Sequence, residues 1–211
     1  MKMSSAAGSG RLIVVSGPSG AGKGTVCKRL IERRPEIALS ISWTTRRQRP
    51  GDIPGQSYHF KSVEEFDALA AIGGFLEHAG MYGSQYGTPR PFIDENLAAG
   101  RDVILEIESK GARQVILGGE YEVVSVFLLP PSMEELKNRL KGRSSESEES
   151  FSRRFQSAYS EIDFAKEYDY IIVNSDVDQA VRALESVIDG SRFRTERAGE
   201  LLKKLKEEPT P

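Results

Sequence analysis

Hydrophobic and polar positions along the chain follow two rhythms. Short apolar runs, rich in β-branched residues, occur at residues 12–15, 37–42, 102–107, 122–129 and 170–174. Turn-forming or charged residues bound each run, and each predicts a buried strand. Between them, apolar residues recur every three or four positions and predict helices over 26–34, 91–99, 109–117, 151–166 and 177–189. Pro35 ends the first of these and Gly100 the second. Two capping boxes mark further helix starts, Ser62 with Glu65 and Ser132 with Glu135.

Strands alternating with helices predict an α/β fold, a parallel sheet with helices on both faces. Residues 36–90 break the alternation. Short strands at 56–60 and 75–79, a helix over 62–72 and a Gly- and Tyr-rich loop or hairpin at 81–88 predict an inserted α+β lobe beside the sheet. The serine-rich stretch 142–150 reads as a mobile segment by composition. Residues 1–10 read as a frayed terminus, and 191–211 as a charged extension, a surface helix with a loose end.

The densest chemistry follows the first strand. Gly17-Pro18-Ser19-Gly20-Ala21-Gly22-Lys23-Gly24-Thr25 fits G-x-x-x-x-G-K between a predicted strand and a predicted helix, the context a phosphate-binding loop requires. Its glycines let the backbone turn its N–H groups inward. The next helix contributes the positive end of its dipole, and Lys23 a movable charge for β- and γ-phosphates. One position departs from the pattern. The hydroxyl expected directly after the lysine, as a Mg²⁺ ligand, is replaced by Gly24, and a hydroxyl follows only at Thr25. Either Thr25 takes that role, or phosphates, water and a distant carboxylate hold the metal.

Charge narrows the class of partner. The 211 residues carry 29 Lys and Arg against 31 Asp and Glu, a formal net charge of −2, which argues against nucleic acid as the main partner. No apolar run approaches the ~18 residues that span a bilayer, and the polar start of the chain lacks a signal-peptide core. A cytoplasmic protein without a membrane partner is expected. The single cysteine, Cys27, excludes an intrachain disulfide and is expected to be a buried thiol. His59 and His78 lack companions at metal-ligand spacing. Against this balanced background the loop holding Arg46, Arg47 and Arg49 stands out. Arginine forks pair bidentately with phosphate oxygens, so the chain offers two anion sites, one for a nucleoside triphosphate and one for a second phosphorylated group.

The segment Ser42-x-Thr44-Thr45-Arg46-x-x-Arg49-x-Gly51-Asp52-x-x-Gly55-x-x-Tyr58-x-Phe60 resembles the GMP-binding segment of guanylate kinases. So do 17–25, Phe75-Leu76-Glu77, Tyr86-Gly87-Thr88, the strand ending Glu106-Ile107-Glu108, Arg139-Leu140-Lys141-Gly142-Arg143 and Ile172-Val173-Asn174, in the family's order from about residue 11 to 190. The resemblance implies a P-loop sheet core over 11–190, a GMP-binding lobe at 36–90, a helical lid around 142–154, and transfer of the ATP γ-phosphoryl group to GMP with Mg²⁺. It implies that Ser42, Arg46, Arg49, Tyr58 and Tyr86 hold the GMP phosphate, with Asp52 also in the GMP site. Glu77 and Thr88 would read guanine with help from Glu108. Arg143 and Arg154 would be lid arginines acting with Lys23 and Arg46 on the moving phosphoryl, and Asn174 would lie near the ATP adenine. The chemistry agrees for Glu77, because guanine offers two adjacent donors, N1–H and the 2-amino group, that one carboxylate can accept. Four positions depart from the family pattern: Asp52 stands where Glu is frequent, Glu106 and Glu108 where Asp is common, and Lys110 where Gln is usual. Two other readings remain, a non-catalytic interaction module of the same fold and a kinase for another nucleoside monophosphate.

Overall fold

The structure is a computed structural model that describes residues 10–81, 83–141 and 148–207. Its centre is β1, Leu12–Ser16, buried at every position. Successive side chains of a strand point to opposite faces, so Leu-Ile-Val-Val is stable only with both faces covered. β1 lies in the middle of a five-stranded parallel sheet, flanked by β7 (Val103–Glu106) and β8 (Val123–Leu129), with β2 (Ala38–Ser40) and β9 (Tyr170–Val173) at the edges. On one face Ile13, Val15, Ile104 and Val126 pack with Val26, Cys27 and Leu30 of α1 (Lys23–Arg33) and with Val181, Leu184 and Ile188 of α7 (Val177–Gly190). On the other, Leu12, Val14, Val103 and Leu105 meet Ile93 and Leu97 of α3 (Arg90–Ala98) and Ala112 and Val115 of α4 (Ser109–Gly118). Each buried Val, Leu or Ile among them contributes about 1.5–3 kcal/mol. Cys27 is buried and free.

The apolar run at 37–42 supplies only one short core strand, β2. After two further residues, β3 (Trp43–Thr44) enters a second sheet ordered β4-β3-β6-β5. The second sheet therefore begins after Ser40, several residues beyond the expected lobe boundary at 36. In it β4 is only His59–Phe60, and the Gly- and Tyr-rich stretch forms a hairpin of β5 (Phe75–Met81) and β6 (Ser84–Pro89). α2 (Val63–Ala71) starts with a complete capping box: Glu65 N–H donates to Ser62 Oγ at 3.1 Å, and Ser62 N–H to Glu65 Oε2 at 3.0 Å. In α5 (Met133–Lys141) Ser132 Oγ accepts from Glu135 N–H, but the Glu135 carboxylate accepts from Arg139 Nε at 2.9 Å. α6 (Glu148–Glu161) is shorter than the predicted helix, because the chain tightens into a 3₁₀ turn over Ile162–Glu167.

The charged extension is anchored where it begins. Arg11 is buried; its backbone N–H and Nε donate to Asp102 Oδ1, its Nη2 to Asp102 Oδ2 at 2.6 Å, and its Nη1 to the Ile188 carbonyl and Ser191 Oγ. Arg192 adds a second ion pair to Asp102 at 2.8 Å, and Arg197 pairs with Glu122 at 2.7 Å. A helix, α8 (Gly199–Glu207), forms only after these turns. Burial pushes the Asp102 carboxyl up, but the Arg11 hydrogen bonds and the Arg11 and Arg192 charges outweigh it and hold it below its usual value. Asp102→Ala leaves the Arg11 guanidinium buried without its carboxylate. The expected loss is about 3–5 kcal/mol of stability, read as a lower urea midpoint at unchanged slope.

Candidate active site

The parallel strands end at a cleft of about 670 Å³ between the core sheet and the second sheet, the edge where α/β folds place ligands. The loop leaving β1 forms one wall. Gly17 has φ 144° and Gly22 φ 94°. A Cβ on Gly17 would lie 2.2 Å from the Leu128 carbonyl oxygen, and one on Gly22 2.4 Å from Asn174 Nδ2, so no side chain fits at either position. Ser19 and Lys23 face the cleft. Lys23 is buried; its Nζ donates to the Gly17 carbonyl at 2.6 Å and sits 3.6 Å from a Glu108 carboxylate oxygen. The loop is thus preformed, with its lysine folded onto it.

The second sheet supplies the facing wall. Ser42, Arg46, Arg49, Tyr58 and Tyr86 all line the cleft. Arg46 lies over the Tyr58 ring at 5.4 Å and donates to Asp52 Oδ2 at 2.9 Å, and the Arg49 N–H donates to the same oxygen at 2.7 Å. Asp52, expected in the GMP site, ties the Arg46 side chain to the Arg49 backbone and so fixes the arginine loop. The Tyr58 hydroxyl is pushed up to about 12, mainly by burial and then by Glu106, Tyr86 and Glu108; it stays protonated and can donate.

Glu77 is buried on β5 and lines the cleft. The hairpin register shifts between Phe75 and Glu77 and sets Glu77 opposite Thr88. A bulge beside a site re-aims side chains in this way. Thr88 is fully buried, and its hydroxyl donates to Glu77 Oε1 at 2.6 Å. Thr88, expected to contact guanine, orients the Glu77 carboxylate. Burial raises the Glu77 carboxyl to about 7, against the lowering effect of Thr88.

Glu106, Glu108, Lys110 and Gly111 close the floor, and Arg153 and Arg154 of α6 line the remaining side. Arg143 lies outside the described residues. Asn174 is buried beneath the phosphate loop, where its Nδ2 donates to the Ala21 carbonyl at 2.8 Å. Thr25 is exposed on the first turn of α1, outside the cleft lining. The space beside Gly24 is taken by Glu106, whose carboxylate oxygens lie 3.2 and 3.4 Å from where a Cβ would stand. Among the described residues no group of three or more His, Cys, Asp or Glu side chains could hold a metal. A single carboxylate near bound phosphates suits Mg²⁺, which keeps several waters and takes one or two carboxylates. Sequence reasoning missed Arg153 and Gly111. Arg153 adjoins Arg154 on an amphipathic helix, a signal that could have been used, whereas nothing local marks Gly111.

A family profile described as guanylate kinase matches residues 9–191. The chain is 49% identical over 199 residues to guanylate kinase from Caldanaerobacter subterraneus subsp. tengcongensis, covering 94% of this chain and 96% of the relative. It is 44% identical over 188 residues to guanylate kinase from Paramagnetospirillum magneticum, covering 89% and 88%. The crystal structure of guanylate kinase from Anaplasma phagocytophilum superposes with a TM-score of 0.79 at 32% identity, over 97% of this chain and 98% of that one. With its phosphate loop, arginine loop and cleft carboxylates in that family's order along nearly its whole length, the chain belongs to the guanylate kinase family.

Proposed function

We propose that this protein transfers the γ-phosphoryl group of ATP to GMP, and to dGMP, giving ADP and the nucleoside diphosphate. A GMP phosphate oxygen attacks the γ-phosphorus, and the bond from that phosphorus to the β–γ bridging oxygen breaks. The observation that carries this reading is that Lys23, the group Ser42, Arg46, Arg49, Tyr58 and Tyr86, and the carboxylate of Glu77 all line one cleft.

Phosphoryl transfer needs alignment and positive charge more than covalent help. Residues 17–25 cradle the ATP phosphates, and Lys23 leaves the Gly17 carbonyl to meet the β- and γ-oxygens. Arg46, Arg49, Tyr58, Tyr86 and Ser42 grip the acceptor phosphate, and Asp52 keeps the arginines in place. Arg154, on the remaining side of the cleft, brings positive charge to the moving group. The lobe after Ser40 positions the acceptor. Glu106 is the residue that would hold Mg²⁺ together with bound phosphates, and the ion would supply positive charge to the transferring group. Glu77 accepts from guanine N1–H and the 2-amino group, with Glu108 lining the same cleft.

The test is a panel of nucleoside monophosphates with Mg·ATP, read as ADP formation. The expected kcat/KM for GMP exceeds those for AMP, CMP and UMP by at least about 10³-fold, because a buried carboxylate is left unpaired by the wrong base. A preference for AMP would assign the site to another monophosphate. Absence of turnover with every acceptor would make the protein a binding module.

A further inference from the structure

We infer that Gly111 is a positioning residue for guanine recognition, and that its missing side chain creates the seat in which the Glu77 carboxylate rests. The inference rests on the assignment of Glu77 as the group that reads guanine. Gly111 lies in the first turn of α4, buried, where that helix packs on β5. A Cβ built there would stand 2.3 Å from Glu77 Oε2, 2.8 Å from its Cδ and 3.4 Å from its Cγ. The three nearest atoms all belong to this one side chain. Thr88 holds the other oxygen, Oε1, at 2.6 Å. The carboxylate is therefore held between a hydroxyl on β6 and a bare helix position, and this fixes the plane it presents to the cleft.

The contact differs from ordinary core packing in one respect. The obstructed atoms are the end of a flexible side chain, so a methyl group at 111 can be accommodated by swinging Glu77 out of its seat without moving backbone. Gly111 has no left-handed φ, and in a helix alanine is favoured over glycine. Gly111→Ala should therefore fold at least as well as the parent and still misplace Glu77.

The experiment measures kcat and KM for GMP and for IMP, which lacks the 2-amino group, together with KM for ATP and Tm. In Gly111→Ala the GMP-to-IMP ratio of kcat/KM is expected to fall by about tenfold or more, since the second donor loses its acceptor. The loss should lie mainly in the GMP KM, with ATP KM unchanged and Tm equal or higher. In a Glu77→Ala background nothing remains to be displaced, and adding Gly111→Ala is expected to change the ratio by less than about twofold, the non-additivity of residues acting through one contact. An unchanged GMP-to-IMP ratio in Gly111→Ala overturns the inference. So does an equal loss in the wild-type and Glu77→Ala backgrounds. If Glu77→Ala by itself keeps the parent ratio, the reading of Glu77 fails, and the inference fails with it.

Discussion

Lys23→Ala is expected to lower kcat for phosphoryl transfer to GMP by about 10²–10³-fold, the scale seen when one preorganised donor to a developing charge is removed. The affinity for GMP should change little, because the arginine loop and Glu77 lie on other walls of the cleft. Stability should also change little. Lys23 Nζ gives one hydrogen bond to the Gly17 carbonyl, worth about 1 kcal/mol. Its ion pair with Glu108 spans 3.6 Å to a carboxylate that is 41% exposed, so solvent screens it. Measured together, kcat, GMP affinity from calorimetry and the urea midpoint separate this outcome from general damage. A variant within about threefold of the parent kcat would remove Lys23 from the phosphate site, since loss of a charged donor there costs far more than that.

Glu77→Gln is expected to reverse the balance between function and stability. The amide places a donor where guanine also presents donors, so kcat/KM for GMP should fall by about 10²-fold or more while the poor activity with AMP changes little. The ligand-free protein should become more stable at pH 8. Burial raises the Glu77 carboxyl from its ordinary 4.5 to about 7. Between those values the folded chain keeps a proton that the unfolded chain has lost, so this group makes stability fall as pH rises through the window and stay level above it. The full difference is worth ~3 kcal/mol. Glu161, raised to about 7 by burial and by Glu108, contributes in the same direction and remains in the variant; only part of the slope between pH 5 and 7 should vanish.

Guanine binding needs the ionised carboxylate, so the parent KM for GMP should rise about tenfold for each unit of pH below 7. The second ionisation of the GMP phosphate near pH 6 adds its own dependence. Glu77→Gln keeps that part and loses the rest, which isolates the side chain. A flat difference between the two profiles would show that Glu77 does not titrate on binding.

Local patterns made much of the site legible before any coordinates. The glycines at 17 and 22 sit in left-handed or otherwise forbidden backbone, which the G-x-x-x-x-G-K spacing announces. The capping box at Ser62 forms as written. Other placements depend on contacts from far along the chain. Asn174 lies 153 positions from the Ala21 carbonyl that its amide reaches. Thr88 turns to Glu77 because a register shift in the hairpin sets them opposite each other. Asp52 is the exception, only three and six positions from its partners. There the carboxylate expected in the GMP site hydrogen-bonds within its own loop.

The sequence by itself determined the strands, most helices, the phosphate loop and the two kinds of anion-binding chemistry, because periodicity, glycine φ preferences and helix caps act over a few residues. Only the tertiary structure decided that Lys23, Arg46, Glu77, Glu108 and Arg154 share one cleft, and that Gly111 leaves room for a carboxylate on another element. Those placements depend on strand order, on the split of residues 37–44 between two sheets, and on how α4 packs against the hairpin. Such long-range contacts leave no local periodicity from which they can be read.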